Sequence, residues 1–174
     1  EMPTGSDASY TPERFLARYD ELANVLGNLA SRVVSMIEKY RGGTLPDADA
    51  GGLDDAIGEA MATARHAMAD YKVHDALAAA MDLARAANGY VEERQPWTQA
   101  KQDGPGLDVT LATLTRALGA LCALFEPVAP TKMKELATRI GLADVPTLNE
   151  AMALPVAGRT VSKGTPLFPR VDLS

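Results

Sequence analysis

From Phe15 onward, apolar side chains recur at Tyr19, Leu22, Leu26, Leu29, Val33, Met36 and Tyr40. The steps alternate between four and three, which is the spacing of one face of an α-helix. The segment opens on Thr11-Pro12-Glu13. Thr suits the N-cap, Pro the first helical position, and Glu the positive end of the helix dipole. It closes at Gly42-Gly43 behind Lys39 and Arg41, where cations and a glycine cap belong. A helix over 12–41 would be about 45 Å long, enough to span a domain.

The same periodicity predicts four further helices. One covers 53–70 with Ile57, Met61, Ala64 and Met68 inward. The next runs from Val73 to Arg94 with Leu77, Met81, Ala84, Ala87 and Val91 inward. Gly89 inside it costs about 1 kcal/mol against alanine, which suggests close packing at that point. Pro96 ends this helix and restricts Gln95 to extended conformations, and a short turn then holds Thr98 to Gln102. After the breaker Asp103-Gly104-Pro105-Gly106, a helix from Leu107 to Phe125 turns Leu111, Leu114, Leu118, Leu121 and Phe125 inward. A last one runs from Thr131 to Ile140 and stops at Gly141. Residues 142–174 carry Pro146, Pro155, Pro166 and Pro169 with little periodicity. They read as an irregular arm with one helical turn near Thr147 to Met152. Leu167 and Phe168 in that arm need a surface to bury them.

Composition agrees with an all-α fold. The 174 residues fit one domain, 47% are hydrophobic and only 5% aromatic, so the core is mostly Leu, Ala, Val and Met. No stretch approaches the roughly 20 apolar residues of a membrane span, and no signal peptide is visible. The lone Cys122 excludes an internal disulfide and fits a reducing cytosol. A net charge of −6 argues against a general nucleic-acid binder, which advertises a basic surface. It leaves room for reading a few splayed bases, where stacking and hydrogen bonds carry the specificity.

Two features invite a chemical reading. Asn24, Asn28 and Arg32 are spaced by four and form one ridge on the first helix. Asparagine is a poor mid-helix residue, so the ridge is either an ordinary solvated face or a set of donors. Trp97, the only tryptophan, sits just past Pro96 at a helix end. It is either a half-buried packing residue or a flat plate for stacking a base. Indole, amide and guanidinium together are what recognition of an unpaired RNA base needs.

Other groupings carry less. His66, Asp70 and His74 have metal-ligand spacing on a continuous helix, but a break is expected near Tyr71, so no metal site is assigned. Cys122 reads as a small core residue. Glu92-Glu93 and Asp54-Asp55 are adjacent and point about 100° apart, so they do not converge on one substrate atom. No phosphate loop or nucleophile–base motif is present, and the chain reads as non-catalytic.

Three segments in order resemble the C-terminal anticodon-binding domain of bacterial methionyl-tRNA synthetases: Arg18 to Val33, Ala87 to Trp97 with Ala100-Lys101, and Pro166-Leu167-Phe168-Pro169-Arg170-Val171. The resemblance covers about residues 10–171. It implies a bundle of about five helices of the class I synthetase anticodon-binding type, with an irregular C-terminal arm. In its terms, 1–10 is a linker from a missing catalytic domain, 11–141 the helical domain, and 142–174 an arm packing back on the bundle.

The roles implied are hydrogen bonding to anticodon bases by Asn28 and Arg32, and stacking by Trp97, chiefly on the wobble cytosine of CAU. Pro96 would position the ring and Tyr90 would pack behind it. The implied partners are the methionine tRNA anticodon loop and the parent enzyme's catalytic domain, with no DNA or membrane, in the cytoplasm. ATP and Mg would serve the parent methionine–tRNA ligase, with no cofactor in this chain, which lacks the catalytic signatures and is expected to be inactive alone. The competing readings are a stand-alone helical protein-interaction module of the same origin, or the matching domain of a leucine or cysteine enzyme. The combination of Asn28, Arg32 and Pro96-Trp97 argues against the latter.

Overall fold

The computed structural model describes residues 11–102 and 104–170. The proposed linker 1–10, Asp103 of the expected breaker and Val171 of the closing motif lie outside the described residues. The first helix starts where expected, with Thr11 Oγ1 accepting a hydrogen bond from the Arg14 amide at 3.3 Å. It comprises α1 (Pro12–Leu22), a π turn (Ala23–Gly27) and α2 (Asn28–Arg41) without interruption. Gly42 caps it at φ +61°, a left-handed conformation glycine adopts without strain. Then follow α3 (Asp54–Ala69), α4 (Val73–Arg94), α5 (Pro96–Gln102), α6 (Pro105–Phe125), α7 (Pro130–Arg139) and α8 (Leu148–Met152).

Side-chain contacts fix the direction of each helix. The Arg85 guanidinium bonds Glu21 Oε1 at 2.5 Å, the Asn88 amide donates to the Val25 carbonyl at 3.0 Å, and Arg32 meets Glu92 at 2.7 Å. The numbers rise together on both sides, so the first helix and α4 run parallel. Arg41 pairs with Asp108 at 2.5 Å and Arg94 lies 3.4 Å from Thr110 Oγ1. The start of α6 therefore stands beside the ends of α2 and α4, and α6 runs opposite to both. Arg116 reaches Asp54 and the Ala50 carbonyl, which places the start of α3 alongside α6. The result is an up-down-up-down bundle, with the 42–53 loop, the α3–α4 turn and the segment carrying α5 making the three reversals.

The core is aliphatic, as composition requires. Leu26, Leu29, Ile37, Ile57, Met61, Leu83, Leu111, Leu114, Leu118 and Leu121 are essentially inaccessible, each side chain contributing about 1.5–3 kcal/mol by burial. α6 is the axis of the bundle and is buried almost all round. It is long and apolar enough to meet a membrane-span criterion of length and composition, with 83% of that window buried inside the bundle. The expectation that no such stretch exists is corrected: a fully surrounded core helix has no polar face to lower its hydropathy. Burial pushes the Cys122 thiol up to about 12, which fits the small core residue expected.

The arm runs back along the first helix. An antiparallel bridge joins Thr44 and Thr160, and the Lys163 amide donates to Glu38 at 2.8 Å. Phe168 sits edge-on to Tyr19, and the Tyr19 hydroxyl donates to the Pro169 carbonyl at 2.8 Å. Leu167 and Phe168 are buried there. Gly141, at φ +78°, lies where a Cβ would come 2.7 Å from the Thr160 carbonyl, so the end of α7 and the arm pack backbone to backbone.

Several side chains differ from the periodic reading. Phe15 is 55% exposed and stacks on Tyr19, because α1 has no buried residue. Met68, expected inward, is 43% exposed at the end of α3, beside Pro127, Pro130 and Val145. The chain does break where expected, with Tyr71 at φ +57°. Gly89 faces open space, with nothing within 4 Å of where a Cβ would stand. Close packing is therefore not its reason. Gly89→Ala is expected to stabilise the domain by about 1 kcal/mol through helix propensity alone. Thermal unfolding of the variant checks this, and an unchanged or lowered Tm contradicts it.

Candidate nucleic-acid interface

The three residues singled out in the sequence are carried by two helices, Asn28 and Arg32 by α2 and Trp97 by the start of α5. Asn28 opens α2 and is exposed; Arg32 is one helical turn further on. In an intact α-helix this spacing puts both on one face. Asn24, exposed like Asn28, lies inside the π turn, where the chain winds more loosely than in an α-helix.

Arg32 Nη2 meets Glu92 Oε1 at 2.7 Å, with 40% and 62% of the two side chains exposed. The pair ties α2 to the last turns of α4, five residues before Trp97. A surface pair of this kind adds little to stability. Its effect is to hold the guanidinium in one place with several donor N–H groups still open to solvent.

The chain then turns within a single residue. Gln95 takes φ +46°, ψ 62° and its amide bonds the Val91 carbonyl at 3.1 Å. The extended conformation expected before proline is corrected. Gln95 is the left-handed cap of α4 and also the residue preceding α5, so closing one helix and redirecting the next override the pre-proline bias. The expected turn at Thr98 to Gln102 is also a helix, with Pro96 at its first position as proline favours. Pro96 is buried, whereas Trp97 is 39% exposed. The indole is neither sealed in the core nor free of it, as a stacking plate requires. α5 packs on the start of α6, where Gln99 Nε2 lies beside Gly106. Among the described residues, neither the Asn28 side-chain carboxamide nor the Trp97 indole N–H has a protein hydrogen-bond partner.

Tyr90, expected behind the tryptophan, packs its hydroxyl end against Gly52 and lies under the Arg94 guanidinium at 5.8 Å. These contacts brace the 42–53 loop. Sequence reasoning passed over Asn88, whose amide donates to both the Ala84 and Val25 carbonyls, and Glu92 as partner of Arg32. Asn88 lies within the Ala87–Trp97 segment. Its position one α-turn before Glu92 was the available signal.

No family model matches the chain. Curated relatives do. Methionine–tRNA ligase of Lactiplantibacillus plantarum is 40% identical over 187 aligned positions, covering 99% of this chain and 27% of the relative. That of Streptomyces coelicolor is 40% identical over 97% of this chain and 35% of its own length. The free-state crystal structure of Mycobacterium tuberculosis methionyl-tRNA synthetase superposes with a TM-score of 0.88 at 27% identity, over 100% of this chain and 37% of that one. The chain spans about a quarter to a third of the length of the relatives it matches. By sequence and by fold, it belongs to the methionyl-tRNA synthetase family.

Proposed function

We propose that this chain is the anticodon-recognition unit of a methionine–tRNA ligase, reading the CAU loop with Asn28, Arg32 and Trp97. The observation that carries the reading is the Arg32–Glu92 pair at 2.7 Å, which joins the helix of the two donors to the helix end that leads into Trp97. A splayed base offers its face to the indole and its Watson–Crick edge to the amide and guanidinium. Methionine, ATP and Mg would act in a catalytic domain, the second partner, and the enzyme would work in the cytoplasm. No residue described here is assigned to them.

The acidic balance shapes the expected binding. With a net charge of −6, affinity rests on stacking and hydrogen bonds more than on phosphate contacts. The test is a titration of the intrinsic fluorescence of Trp97 with a CAU stem–loop and with loops changed at each anticodon base. The sole indole reports stacking directly. Saturable quenching by CAU, with weaker binding of each altered loop, supports the reading. Equal response to all loops, or none to CAU, overturns it.

A further inference from the structure

The π turn is gripped from two sides. From α4, the Asn88 carboxamide donates to the Val25 carbonyl at 3.0 Å and to the Ala84 carbonyl at 2.9 Å. From the arm, the Phe168 ring lies against Gly27, where even a Cβ would be 3.3 Å from Cδ2. Asn28 follows immediately, and its backbone N–H closes the turn by donating to the Ala23 carbonyl. A π turn is less favourable than the α-turn it replaces and persists where surroundings hold it, often at functional sites. Here the surroundings are a side-chain amide that uses both donors on backbone oxygens of two different helices.

We infer that Asn88 is a positioning residue for anticodon readout: by pinning the π turn at Val25 it fixes the start of α2, and so the direction in which Asn28 presents its amide. This rests on the proposed anticodon reading. Asn88 itself touches no base in this scheme, since both its donors are committed to backbone. Only the donor group matters, because a single carboxamide N–H₂ spans the gap between the Ala84 and Val25 carbonyls. Asn88→Asp keeps the shape, removes both donors and aims a carboxylate at two carbonyl oxygens. Asn88→Ala removes the contact without repulsion.

Three readouts on the 174-residue chain test this. Hydrogen exchange at the amides of 26–28 should quicken roughly tenfold or more in both variants, because the local opening is no longer resisted, while exchange in the rest of α2 stays at the wild-type rate. Affinity for the CAU stem–loop should fall roughly tenfold, a loss of about 1.4 kcal/mol. Discrimination should narrow at one anticodon base only, with Trp97 quenching at saturation unchanged. Arg85→Ala, which cuts the neighbouring link to Glu21 between the same two helices, should change none of the three.

Unchanged exchange at 26–28 in both variants overturns the inference, as does an equal effect from Arg85→Ala, which would mark a general helix-docking role. Trp97→Ala separates the two levels. If it leaves CAU binding intact, the anticodon reading fails. If it weakens binding while both Asn88 variants bind and discriminate as wild type, only the role of Asn88 fails.

Discussion

Trp97→Ala is expected to weaken binding of a CAU stem–loop by about 1–3 kcal/mol, roughly five- to 150-fold. The loss is that of one base–aromatic stack. The fold should survive, because the indole is 39% exposed and stands on a seven-residue helix at the edge of the core. Truncating a fully buried tryptophan costs about 3–5 kcal/mol; here about 1 kcal/mol is expected. Trp97→Phe keeps a smaller ring and should recover part of the affinity. Competition with a labelled loop measures all three proteins without relying on the indole, and thermal unfolding confirms that the variants are folded. Equal affinity in wild type and Trp97→Ala removes the stacking assignment.

The helices were legible because burial writes itself into spacing. The steps of four and three from Phe15 to Tyr40 fix an amphipathic helix, and Thr11-Pro12 and Gly42 mark its ends by capping chemistry that acts locally. The π turn was not legible, since the same spacing fits an unbroken α-helix. What sustains it is an amide 63 residues further along the chain. Gln95 shows the same limit. The local rule before proline favours extended backbone, and the need to end α4 and start α5 within one residue overrules it. Periodicity also assigns a face without saying how far the neighbouring helices reach. Phe15 and Met68 carry the right spacing but lie where the bundle no longer covers them.

For the candidate site, residue types suggested recognition of an unpaired base, and the resemblance narrowed the candidates to Asn28, Arg32 and Trp97. What neither could supply was the setting of Arg32. The ridge Asn24-Asn28-Arg32 read as one line of donors, whereas the structure gives Arg32 an anionic partner from α4 and sets Asn24 in a π turn. Both differences involve contacts between segments remote in sequence, which spacing within one helix does not encode.

That setting makes Arg32→Ala the more damaging change. The substitution removes a charged donor, worth about 1.5–3 kcal/mol when its partner is desolvated. It also leaves Glu92 without its cation, facing an anionic loop. The two effects add in the same direction, so the expected loss in CAU binding is about 2–4 kcal/mol, roughly 30- to 800-fold. Glu92 supplies the internal control. Glu92→Gln keeps an acceptor for the guanidinium and removes the negative charge, so it should tighten binding of every loop while narrowing the preference for CAU. The double variant Arg32→Ala/Glu92→Ala should bind more tightly than Arg32→Ala alone, because the unpaired carboxylate is gone. Stability should scarcely move in any of them, since the pair is solvent-exposed. Binding isotherms at two salt concentrations resolve the terms: charge repulsion from Glu92 weakens as salt rises, whereas a lost base contact does not. A double variant no better than Arg32→Ala at low salt would contradict the role given to Glu92, and wild-type affinity in Arg32→Ala would remove Arg32 from the interface.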